Sequence, residues 1–520
     1  MNISWSPVRS ATLALGALLI IALFACSSDD PVPTATTVPN EPEAMMDDDK
    51  MSGDDAMMDD DKMSDDDAMM DDDKMSDDDA MMDDDKMSGD DAMMDDDKMS
   101  GDDAMMAEHE TKFSVLIENI GTVFDFKNSG VGGDGPIGPG GVFTFEFDAA
   151  PGDSLSFASM FVPSNDFFFA PDEDGIALFD SQGDPVSGDV TSMVNLWDAG
   201  TEADQEPGAG SEQPLNNGGN SPDTPDSNTS VRLAEDVFGN LPSVSDVVKV
   251  TLSHLGGTAF EAVIENVSSE STLTTAAGAS SAVPLTPPIW VVHGTSVPLF
   301  VEGEADAGQG LEALAETGSP VALAASLAAR SGLTSPIAPG VFAVHTEDAI
   351  LFADGTIEAG EGLEELAEDG SPVRLAEWLE SAVGVTDSDA FAVPTGGSDP
   401  APAFPGDSYA FEFAAIEGDR LSLATMLVQT NDLFFAPAQG WIELFDANGE
   451  PISGDVTSQF LLWDAGTEVN QAPGSGASQA PRQSGPNTGD SEAAEVAAVD
   501  DGYSYPDVDA IIRVTITTHG

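Results

Sequence analysis

The side chains whose types and spacing could do chemistry in this chain are carboxylates. Asp464-Ala465-Gly466-Thr467-Glu468 sets two acids around a turn that glycine permits, and the same five residues recur as Asp198-Ala199-Gly200-Thr201-Glu202. Asp432 and Asp166 stand ahead of them at identical spacing. Calcium takes six to eight hard oxygens at roughly 2.3–2.6 Å, and flexible loops of carboxylates and carbonyls supply them. Three such acids converging without a cation would repel one another and bind protons more tightly. Asp and Gly also end strands for purely backbone reasons, so a turn-forming role accounts for the same pattern. Other chemistry is thinly represented. The single cysteine, Cys26, excludes a disulfide scaffold and any multi-Cys metal site. The five histidines are scattered, and His293 and His345 lie on apolar strand segments that suit packing rather than ligation. No GxSxG, HExxH, phosphate loop or Cys/His dyad is present, so the chain reads as a non-enzyme.

Charge narrows the partners. The 520 residues hold 96 Asp and Glu against 15 Lys and Arg, a formal charge of −81. Nucleic-acid binding requires cationic side chains on phosphates and is excluded as a class. Anionic lipid or polysaccharide could be met only through a bridging cation.

The first 25 residues match a secretory signal, with Arg9 in the leading segment and an apolar run from Ala11 to Ala25. Leu23-Phe24-Ala25-Cys26 looks like a bacterial lipobox, in which Cys26 is acylated and becomes the mature N-terminus. Lipid chains would then be the only membrane attachment, with everything after Cys26 outside the bilayer. Residues 26–110 read as a disordered tether. MMDDDK recurs there every twelve residues, beginning at Met45, and each unit carries five or six Asp against one Lys. Such a segment buries too little apolar area to fold, and its own charge extends it. From Cys26 to Thr111 it could reach at most roughly 280 Å, at ~3.3 Å per residue. Asp clusters bind calcium weakly and Met tracts bind copper(I) or scavenge oxidant, but a solvated spacer suffices.

After Glu110 the pattern becomes that of β structure. Phe113-Ser114-Val115-Leu116-Ile117 and Phe143-Thr144-Phe145-Glu146-Phe147 alternate with period two, and Asp/Gly/Asn turns separate such runs. Residues 139–210 return without a gap as 405–476, with more than half of the positions identical. The opening strand Ile117-Glu118-Asn119 returns as Ile264-Glu265-Asn266, and the closing strand Val248-Lys249-Val250-Thr251 as Ile512-Arg513-Val514-Thr515. Between these the second copy holds an extra block, itself duplicated: Trp290-Val291-Val292-His293 recurs as Phe342-Ala343-Val344-His345. Each half of that block, 285–330 and 337–382, predicts a strand and two short helices. The expected organisation is therefore a shortened β-sandwich over 111–255 and a complete one over 258–520, with short helical insertions in the second. Gly256-Gly257 is taken as the boundary.

Together these segments resemble the N-terminal spondin domain of F-spondin and its bacterial relatives. The resemblance rests on Ile264-Glu265-Asn266, Pro339 through His345, Gly362 through Ala367, Leu421 through Met426, Asn431-Asp432 and Leu462 through Glu468. It implies antiparallel β-sandwiches, one calcium ion per domain and a role in extracellular adhesion. The ligands carried over are Asp432, Asp464 and Glu468 in the second copy, and Asp166, Asp198 and Glu202 in the first. Glu replaces Asp at the last position, and the separation of the first two ligands is slightly longer than in the animal domain. The expected protein is a lipid-anchored bacterial surface protein. It would use bound calcium to engage an extracellular protein, a polysaccharide or a lipid headgroup, or else hold calcium only to stabilise its loops as an acidic surface layer.

Overall fold

The structure is a computed structural model that describes residues 110–217, 224–346 and 351–519. The signal segment, Cys26 and the Asp/Met repeats lie outside the described residues. The described chain is mainly β, in antiparallel sheets with a few short helices.

Gly256-Gly257 does not separate two domains. Both residues have positive φ, 112° and 58°, and they turn the strand Val248–Gly256 directly back into Ala259–Asn266. Glycine alone takes these angles without steric cost, and a tight turn between two apolar-alternating strands makes a hairpin. Val250 accordingly faces Ile264, and Leu252 faces Ala262. On its other side Ala259–Asn266 pairs with Val142–Asp148. The opening strand of the second copy thus completes the sheet of the first.

Thr111–Asn119 pairs elsewhere. It lies between Ser408–Ala415 and Ile512–His519, with Ile117 opposite Tyr409 on one side and Val514 on the other. Its alternation decides which face is buried: Phe113, Val115 and Ile117 are 0–1% exposed and pack with Ile337, Leu421, Leu433 and Ile516. Asn119 pins the strand end, its amide donating to the carbonyls of Ser335 (3.1 Å) and Ala403 (2.9 Å). Asn266 makes the corresponding bonds to Ile137 and Val283.

The expected division into 111–255 and 258–520 is therefore corrected. One domain spans residues 126–330 and is inserted into the other, which comprises 111–125 and 331–519. The halves of the tandem block go one to each domain, so neither is shortened. Ile289–His293 pairs with Ser154–Met160, and Leu311–Thr317 and Val321–Ala328 cover that sheet. Ile337–His345 pairs with Arg420–Leu427 under Leu363–Asp369 and Val373–Leu379. In each domain a four-stranded sheet faces a longer one across an apolar core, and a helix pair closes the far side. The inserted domain is a circular permutant of the outer one, with its two ends side by side: Phe126 N–H donates to Arg330 O and Gly332 N–H to Phe126 O, both at 3.1 Å.

The two domains follow one another head to tail. Thr111 lies at one end of its strand, and the crossover at Phe124–Phe126 lies beyond Asn119 at the other, about 26 Å away at ~3.3 Å per residue. In the inserted domain the crossover adjoins Asp153, at the start of Ser154–Met160, whereas Asp166 follows that strand's far end.

This topology predicts that residues 126–330 fold alone, whereas residues 258–520, which lack Thr111–Asn119, do not. In the full chain Ile117→Ala should cost about 2–5 kcal/mol, as for other buried aliphatic truncations. Hydrogen exchange should place that loss in 331–519 and leave protection in 126–330 unchanged.

Candidate metal centre

Each centre is built on the turn after the central strand of the helix-covered sheet. In the inserted domain Ser164 ties this turn, its hydroxyl donating to Phe161 O (2.6 Å) and accepting from Phe167 N–H (3.0 Å). Asp166 is thereby held fully buried. Its Oδ2 accepts from Thr201 N–H (2.8 Å), the Thr201 hydroxyl (3.2 Å) and Glu202 N–H (3.0 Å), while its buried Oδ1 has no hydrogen-bond partner. Asp198 ends the strand Asn195–Asp198 and closes the next turn through Gly200 N–H (2.7 Å). Gly200 is required there, because at φ 69° a Cβ would sit 2.7 Å from Ser230 O. Trp197 anchors this strand in the core, and its indole donates to Pro171 O at 3.0 Å.

The third carboxylate is Asp204, not Glu202. Oxygens of Asp166, Asp198 and Asp204 all lie within 4.8 Å of one another. Like Asp166, Asp204 has a buried Oδ1 without a partner. Glu202 lies outside that set and accepts from the Asn165 amide at 3.4 Å, although its charge still raises Asp166. The sequence signal was available: Asp204 falls inside the gapless repeat and corresponds to Asn470 in the second copy.

The outer domain repeats the geometry with one substitution. Asp432 Oδ2 accepts from Thr467 N–H (2.8 Å), its hydroxyl (3.2 Å) and Glu468 N–H (3.1 Å), and its Oδ1 is likewise buried and unpartnered. Asp464 accepts from Gly466 N–H and from the Asn470 amide, both at 2.7 Å. Glu468 is again held apart, by Asn431 at 2.9 Å. Asp432 and Asp464 thus come together as expected, with Asn470 rather than Glu468 as the third group. Asn470 Oδ1 is buried without a partner, and an amide oxygen is an ordinary calcium ligand.

The two centres differ in compensating charge. Opposite Asp198 stands Arg232, ion-paired with Asp198 and with Asp226. Opposite Asp464 the residue is Ala497. A helix adds one further acid to each centre: Glu316 shares the Thr201 hydroxyl with Asp166, and Glu368 shares that of Thr467 with Asp432. The sequence reading missed these two because they lie on helices remote in sequence from the acids they approach, with Glu316 coming 118 residues after Asp198 and Glu368 coming 64 before Asp432.

Burial dominates the electrostatics, since removing a carboxylate from water penalises its charged form. Burial, then the charges of Asp166 and Asp204, pushes Asp198 up to about 8 despite Arg232. Burial and Asp166 push Asp204 to about 6. Glu316 and Glu368 rise to about 7, chiefly by burial. Asp432 and Asp464 are also raised, by burial first and, for Asp432, by the Asp464 charge. A divalent ion among these oxygens would offset that penalty.

The remaining sequence candidates are packing groups. His293 and His345 are buried, with Nε2 on Ser156 (2.8 Å) and Ser422 (2.7 Å). Phe167-Phe168-Phe169 and Leu433-Phe434-Phe435 are core strand residues. No helix among the described residues is long and apolar enough to cross a membrane. No protein-family model and no curated protein matches the chain.

The acids with raised pKa bind protons more tightly folded than unfolded. The stability they contribute is fully present below their unfolded values of 3.8 and 4.5, and is lost as pH rises through about 6 to 8. In chelator, the thermal midpoint should fall between pH 5 and 8. Asp198→Asn should flatten that fall relative to wild type, a comparison in which the buried histidines cancel.

Proposed function

We propose that this chain is a non-enzymatic bacterial surface lipoprotein, acylated at Cys26 and raised on its acidic tether, with two spondin-type domains. It binds calcium at Asp166, Asp198 and Asp204. It then engages an extracellular protein, polysaccharide or lipid headgroup through the coordination positions that the ion leaves open. The observation that carries this reading is the convergence of three carboxylates from two loops, with two buried oxygens that lack partners. Calcium suits such a site better than zinc, because all the donors are hard oxygens and none is His or Cys. The position of the centre at the end of the inserted domain remote from the crossover suits contact with a partner. The outer-domain centre, Asp432, Asp464 and Asn470, lies on the loops next to the crossover and suits a stabilising ion.

A second reading has its own support. Arg232 brings a cation to Asp198 from within the chain, as a purely structural ion-pair network would.

Calorimetric titration of the full chain with calcium separates the two. The proposal expects saturable binding that Asp198→Asn weakens by about tenfold or more, since affinity follows the charge of the ligand set. It also expects chelation to abolish attachment of cells displaying the protein. Absence of calcium binding, with Arg232→Ala strongly destabilising, would favour the structural network.

A further inference from the structure

Where the chain crosses between domains it leaves a cleft of about 600 Å³. This lies within the ~300–1,000 Å³ typical of small-molecule sites. Lys127, Asn128, Asp148 and Asp153 line one wall and Gln429 and Tyr503 the other, so each domain supplies half. We infer that this cleft binds a neutral, hydroxyl-rich ligand, namely a short segment of glycan.

The argument runs by elimination over charge and polarity. Lys127, the cation at the cleft, is taken by Asp153 at 2.6 Å. Arg482, behind Gln429, donates to the Gln429 side chain at 2.9 Å and to Gly476 O at 2.7 Å. The charged side chains lining the cleft are Lys127 against Asp125, Asp148 and Asp153, so a phosphate, sulfate or carboxylate ligand would meet net repulsion there. Phe124, Phe126, Leu333, Ala472 and Pro473 make the rest of the lining apolar, so the ligand must offer both characters, and a wholly apolar one would strand the polar groups at a desolvation cost.

What the wall offers is acceptors. Asn128 donates its amide to Asp148 O (3.3 Å), while its Oδ1 is buried without a partner. Among the described residues, the hydrogen bonds accepted by the side chains of Asp148 and Asp153 fall on one oxygen each: the former takes the Thr258 hydroxyl, the latter Lys127 and Ala150 N–H. Hydroxyl donors match such a wall, because the second oxygens of Asp148 and Asp153 are charged acceptors that a hydroxyl can serve. Opposite stands Tyr503, 40% exposed on a loop that Asp501 fixes through its backbone N–H at 2.9 Å. A ring held at a cleft rim is a platform for the apolar C–H face of a pyranose, and its phenol is a further donor. Sugars combine a flat apolar face with a rim of hydroxyls, as these two walls together require.

The cleft stands apart from the acidic centre of the inserted domain, so this inference can fail or survive without the calcium reading. The test is calorimetric titration of the full chain with cellohexaose, laminarihexaose, mannohexaose and chitohexaose. At least one should bind saturably in calcium, and equally to wild type and to Asp198→Asn. Tyr503→Ala and Asp148→Ala should each weaken it by about tenfold, equivalent to about 1.4 kcal/mol. Tyr503 is exposed on a loop, so circular dichroism should show its variant folded. If none of the four sugars saturates the protein, or if both variants bind as wild type, the inference is overturned. Binding that Asp198→Asn abolishes would overturn it too, by placing the sugar at the inserted-domain centre.

Discussion

The turn at Gly256-Gly257 is the constraint from which the architecture follows. Two residues at positive φ commit Val248–Gly256 and Ala259–Asn266 to one hairpin, and that hairpin fills the place beside Val142–Asp148 in the first sheet. Thr111–Asn119 has the same alternation and the same terminal Asn, and therefore fits the equivalent place between Ser408–Ala415 and Ile512–His519. The whole of 126–330 is then enclosed within the chain of the other domain. Local turn chemistry, acting on near-identical strands, has decided a long-range topology.

That topology makes the two acidic centres unequal although their sequences are near copies. One lies at the end of the inserted domain remote from the crossover. The other sits on loops that run into the junction, where Ala472 through Ser475 also line the cleft. Their charge compensation differs in the same sense. Arg232 balances the inserted-domain centre in part, while Ala497 stands at the corresponding place in its counterpart. Duplication supplied two versions of one constellation, and topology set them in different surroundings.

Burial is the common physical term. Asp166 and Asp432 are held fully buried by backbone N–H groups that satisfy one oxygen and leave the other bare. The arrangement is tolerable when a proton or a cation shares the charge. The neighbouring glutamates, Glu202 and Glu468, accept from the Asn165 and Asn431 amides instead.

The sequence by itself determined the strands, through period-two alternation, the duplication and its tandem block, and four of the six acids it nominated. Asp166, Asp198, Asp432 and Asp464 converge because each sits at a turn that Asn, Gly and Thr specify within a few residues. Only the tertiary structure decided which copy each strand completes, since pairing partners with nearly the same pattern are indistinguishable by pattern alone. It also set Asp204 beside Asp166 and Asp198, put Asn470 on Asp464, and brought in Glu316 and Glu368. Those choices depend on where side chains point after the loops close and on helices distant in sequence, and local spacing carries neither.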